Sequence, residues 1–89
     1  MAPMTNKDYE ESIRKQLSET FNEGFTAFEE FKGNPAVYEM CVKQHIDKAK
    51  MLMQMNADME LLCKRIGLDF ESVIEEEYQH ALTKLEHVE

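Results

Sequence analysis

Cysteine is scarce in this chain: Cys41 and Cys63 are its only two in 89 residues. Both fall within one segment of helical period. At about 1.5 Å rise per residue they stand roughly 33 Å apart along a straight helix, beyond the reach of a disulfide. That excludes a small disulfide-stapled fold and makes a reducing, intracellular compartment the natural setting. Met1 to Asp8 lacks the apolar stretch of a secretory signal. No apolar run approaches the length of a membrane span, so a soluble, cytoplasmic protein without membrane contact is expected. Glycine is also sparse, at three residues. There is no glycine-rich phosphate loop, no Gly-x-Ser-x-Gly and no Cys-x-x-Cys, which leaves nucleophilic and nucleotide chemistry without a motif.

Positive charge is in short supply too. Ten Lys and Arg face eighteen Asp and Glu, a formal net charge of −8. Nonspecific duplex binding depends on basic side chains neutralising phosphates, so nucleic-acid contact is expected only from an assembled form. The balance also suits a partner for a basic protein. Apolar residues nevertheless make up 43% of the chain, too many for a disordered acidic tail. Eighty-nine residues form one small domain, and such domains supplement a limited core by regular helix packing or oligomerisation.

What is present is helical period in three segments, near 6–31, 35–66 and 70–87, with no strand-like alternation. The fold class is therefore all-α: a helical hairpin with a long central helix, plus a third C-terminal helix, in coiled-coil-like or bundle packing completed by oligomerisation. Thr5 and Asp8 form the start signal of the first helix, and Lys32-Gly33-Asn34-Pro35 ends it, with Gly33 in the left-handed position. Tyr9, Ile13, Leu17, Phe21, Phe25, Phe28 and Phe31 line its apolar face. Gly24 sits within that face, either for close packing or as a weak point. Asn34 and Pro35 open the second helix as N-cap and first residue, and Gly67 ends it. Asp69 caps the third, whose apolar face carries Phe70, Ile74, Tyr78, Ala81, Leu85 and Val88.

The strongest pattern lies on the second helix. Tyr38, Val42, His45, Ala49, Leu52, Asn56, Met59, Cys63 and Ile66 alternate spacings of four and three over about four heptads, the signature of a coiled-coil seam. Val42, Ala49, Asn56 and Cys63 take the a positions. A lone Asn at a sets register and strand number in coiled coils; the alternative is a polar group in an ordinary bundle core. At about 48 Å, an unbroken helix of this length exceeds what so small a globule needs, so self-association through the seam is expected. Met40, Met51, Met53, Met55 and Met59 crowd the same helix, as loosely specified core or, for the off-seam Met40 and Met51, as an exposed apolar contact.

The remaining constellations are weaker. Glu77 and His80 have the Glu-x-x-His spacing of di-iron bundles, but only one copy occurs and His80 points away from the apolar face. No metal or cofactor is expected. Cys41 and His45 are four apart, where burial beside the seam favours an inert thiol over a reactive one. No catalytic residue is assigned, and the chain is read as non-enzymatic. Seven acids between Asp69 and Glu89 face the single base Lys84. Glu71, Glu75, Glu76 and Glu77 are either a solvated, dipole-matched face or a docking surface for a basic partner, as in an acidic inhibitor that mimics nucleic acid.

Gly33-Asn34-Pro35-Ala36-Val37-Tyr38 leading into a helix with Lys43 and Lys48, and Gly67-Leu68 followed by Glu76-Glu77-Tyr78, resemble the middle of small terminase subunits of T7-like phages. The likeness covers about half of the chain through short motifs, with different spacing between them. It implies a non-enzymatic, ring-forming DNA-packaging subunit in the host cytoplasm, with Lys43, Lys48 and Lys50 as the clustered candidates for nucleic-acid contact.

Overall fold

The computed structural model describes residues 3–87, so Val88 lies outside the described residues. They form an all-α fold of four helices: α1 (Asn6–Ala27), α2 (Pro35–Gln54), α3 (Ala57–Arg65) and α4 (Phe70–Glu86). A single 3-10 turn, Glu29–Phe31, joins α1 to α2. No strand occurs among the described residues.

The helix starts follow side-chain chemistry. Thr5 and Asp8 form a reciprocal capping box, the Asp8 N–H donating to Thr5 Oγ1 at 3.2 Å and the Thr5 N–H to Asp8 Oδ2 at 2.9 Å. Asn34 caps α2 with Pro35 in its first turn. Asp69 occupies the cap position of α4, but its carboxylate accepts the Ser72 hydroxyl at 2.8 Å instead of a backbone N–H.

The helix ends depart from expectation in two places. α1 stops at Ala27 rather than Phe31. The Tyr38 hydroxyl donates to the Phe25 carbonyl at 3.2 Å, taking an acceptor that a continuing helix uses, and the chain tightens into the 3-10 turn. Gly33 does not adopt the left-handed conformation; among the described residues Gly67 alone has positive φ, at 77°. There the Gly67 N–H donates to Lys64 O at 3.3 Å and the Leu68 N–H to Cys63 O at 2.8 Å, the paired bonds of a Schellman ending.

The largest correction concerns the central helix, which is not continuous over 35–66. It breaks at Met55-Asn56, and Asn56 becomes the N-cap of α3, its Oδ1 accepting the Met59 N–H at 3.0 Å. The break lets α3 fold back onto α4 and bury Cys63, which a straight helix would carry away from the rest of the chain. Cys41 and Cys63 therefore lie on different helices, and both are free thiols.

α1, α2 and α4 each pack on the other two, while α3 leans chiefly on α4. Ile13, Leu17 and Phe21 from α1 meet Tyr38, Val42, Ile46 and Ala49 from α2, and Val73, Ile74, Ala81 and Leu85 from α4. These residues repeat at the 3.6-residue period of a straight helix. A 3.5-residue seam drifts from that stripe by about 20° per heptad. By the last turn of α2 the core has moved off the seam, and Met53 packs inward where the seam had Leu52.

Candidate interaction surface

The structure divides the sequence-predicted seam. Tyr38, Val42, Ala49 and Cys63 are buried in the chain's own core, and His45, Asn56, Met59 and Ile66 are half-buried. Leu52 is 60% exposed. The seam is thus not one continuous docking stripe. Its one exposed member, Leu52, stands at the α2–α3 corner, in the last turn of α2 beside Met51, 66% exposed, and ahead of the C-cap Met55, 79% exposed, while Leu61 is half-exposed on α3. Met40, the other off-seam methionine, is exposed nearer the start of α2.

Beside this corner runs a groove of about 360 Å³ between α1 and α2, lined by Thr20, Glu23, His45, Lys48, Ala49, Leu52 and Met53. Its floor is set by a close approach of the two helices. A Cβ on Gly24 would lie 2.8 Å from His45 Cδ2, so the glycine makes room for the imidazole. His45 Nε2 in turn bonds to the Thr20 carbonyl at 3.1 Å, which satisfies the ring's polar edge inside the helix pair. Gly24 therefore has a packing role.

The basic candidates do not form a patch. Lys43 pairs with Asp47 at 2.9 Å, and Lys50 pairs with Glu75 at 2.6 Å while lying 4.2 Å from the Tyr78 ring centre. Lys48 is exposed and has no ion partner among the described residues. The same holds for Lys64 and Arg65 on α3.

The acidic candidates are also largely engaged. Arg14 binds Glu10, Glu76 and Glu77 at 3.1, 2.8 and 3.0 Å. Burial works against its charge, yet the hydrogen bonds to these carboxylates outweigh that and hold its pKa above the ordinary value. Glu77 is 9% exposed, so it is a buried ion-pair partner and offers no docking surface. The Lys50 hydrogen bond holds the Glu75 carboxyl below its usual range. Of the four acids, Glu71 alone is exposed without an ion pair among the described residues.

A second polar joint ties α2 to α4. The Tyr78 hydroxyl donates to Asp47 Oδ1 at 2.6 Å. That bond, reinforced by burial, pushes the Tyr78 pKa up to about 12, and it holds the Asp47 carboxyl below its usual range. Sequence reasoning missed this joint and the role of Arg14, because both depend on residues brought together from distant helices. It also missed Leu61, which the break at Asn56 separates from the face of α2. Burial raises the Cys63 thiol pKa, only partly countered by Arg14, which keeps it protonated and unreactive. No cluster of three or more metal-ligating side chains occurs among the described residues, and His80 is exposed. No described helix is long and apolar enough to cross a membrane. No family model, curated protein or solved structure matches the chain.

Proposed function

We propose that this chain is a non-catalytic, self-associating helical interaction protein whose contact surface is the apolar corner between α2 and α3. The carrying observation is the exposure of Met51 and Leu52 in the last turn of α2 and of Met55 at its C-cap, with Leu61 beyond the break. Isolated apolar side chains are normal on a surface, whereas several large ones at one corner mark a contact site. Methionine suits such a site because its flexible thioether adapts to a partner.

Sedimentation equilibrium or light scattering at micromolar concentration tests the proposal. The wild type is expected to associate, and Leu52→Glu with Met55→Glu to remain monomeric at unchanged helicity, since both side chains already face solvent. A strictly monomeric wild type overturns the reading. A second reading, DNA contact by the assembled form as the terminase resemblance implies, draws on Lys48, Lys64 and Arg65, which are exposed and without ion partners among the described residues. It predicts a large closed ring and DNA binding that weakens steeply with salt. The acidic-mimic reading has less support from the geometry, because Glu75, Glu76 and Glu77 are held in ion pairs within the chain.

A further inference from the structure

We propose that the partner in self-association is a second copy of this chain, and that the two copies exchange their α3–α4 arms once α2 and α3 merge into one helix across Met55-Asn56, so that Leu52 and Met55 are covered along the merged helix instead of at a corner. The inference rests on the self-association reading and specifies its geometry.

The break is held by very little. Gln54-Met55-Asn56-Ala57-Asp58 contains neither glycine nor proline. Met55, at φ −93° and ψ 2°, lies in the bridge region next to the helical one and needs only a modest adjustment to join a helix. Asn56 has φ −80° and ψ 94°, so rotation chiefly about one ψ, to about −40°, joins the two helices. The cap bond from Met59 N–H to Asn56 Oδ1 opposes that rotation. The four-three spacing of Leu52, Asn56 and Met59 runs across the break, so the merged helix keeps one apolar stripe.

Because α3 leans chiefly on α4, the two can swing out together. The surface that receives them is already defined within one chain. α4 fits α1 and α2 through Lys50–Glu75 at 2.6 Å, Tyr78–Asp47 at 2.6 Å and Arg14 to Glu76 and Glu77. Each of these contacts re-forms between two copies with the same partners, as does the apolar packing of Val73, Ile74 and Ala81. The exchange adds one contact the monomer lacks: the two merged helices cross near the hinge, where Leu52 and Met55 gain cover.

Ala57→Pro tests the exchange. It places proline in the first turn behind an Asn cap, repeating the Asn34-Pro35 start of α2, and Ala57 is exposed. The broken helix accepts this change. The merged helix does not, since the ring removes a backbone donor and clashes with the carbonyl four residues earlier. The variant is expected to keep its helical fold while losing at least about a hundredfold in dimer affinity, with a melting temperature that no longer rises with protein concentration. Asn56→Leu, which removes the cap and fills the stripe, is expected to raise the dimer fraction.

Carbodiimide coupling of Lys50 to Glu75 supplies the second readout. Protein made from equal amounts of 15N-labelled and unlabelled chain is refolded together and cross-linked. Mixed-isotope Lys50–Glu75 peptides support exchange. If wild type and Ala57→Pro dimerise equally and every such peptide carries a single isotope, the exchange is overturned while corner-to-corner association stands. A monomeric wild type overturns both.

Discussion

Gly24 is the residue on which the α1–α2 contact turns. Cδ2, Cγ and Cβ of His45 stand 2.8, 3.0 and 3.1 Å from the place a Cβ would occupy at position 24. The crowding involves the body of the imidazole and not a flexible tip, so relief requires moving the ring off the Thr20 carbonyl. Gly24→Ala gains about 1 kcal/mol of helix propensity, but overpacking costs about 1–3 kcal/mol and loss of the His45 bond adds about 1 more. We expect a net destabilisation of about 1–3 kcal/mol in urea unfolding. In a His45→Ala background the same change is expected to be neutral or stabilising, because the obstacle is gone. Equal effects in the two backgrounds would show that Gly24 does not serve the imidazole.

Among the elements, α4 is tied to α2 by a hydrogen bond whose pH behaviour can be worked out. Asp47 has a lowered folded-state pKa, so its contribution is present above the unfolded value of 3.8 and is lost as pH falls through the lower folded value. Tyr78 has a raised folded-state pKa, so its contribution is complete below pH 10 and disappears as pH rises from 10 to about 12. Tyr78→Phe is expected to cost about 1 kcal/mol at neutral pH, the Asp47 carboxylate being partly solvated. Chemical denaturation across pH 9 to about 12 should then show a smaller alkaline loss in the variant than in the wild type. Identical slopes would place the alkaline sensitivity elsewhere. The helices themselves were largely legible in the sequence, because Thr5, Asn34-Pro35 and Gly67 act through local backbone chemistry. The break at Asn56 was not, because an Asn at a heptad a position and an Asn at an N-cap look alike until tertiary packing chooses between them. The same limit applied to the site. The excess of apolar residues on α2 was visible, but only the 3.6-residue core stripe shows that Leu52 faces outward while Met53 packs inward. For Glu77, drawn inward by Arg14 from a different helix, no local signal existed.

At the scale of the whole molecule, Cα extents of 47 × 28 × 17 Å describe a slim body. With packed helices about 8–10 Å apart, its short axis holds no more than two layers of helix, so the core is shallow and the apolar surplus of α2 finds no internal cover. Association would supply that cover, yet each copy carries a net charge of −8, and bringing two together sets like charge against like. The two effects respond to salt in opposite ways. Screening shortens the reach of the repulsion to about 3 Å at 1 M salt and leaves burial of Leu52 and Met55 intact. Self-association is therefore expected to tighten several-fold between low and molar NaCl, measured by sedimentation equilibrium on the wild type. Attraction to a basic protein or to DNA must weaken over the same range, because there the charges draw the partners together. A dimer that dissociates as salt rises would show that ion pairs, and not the apolar corner, hold the copies together.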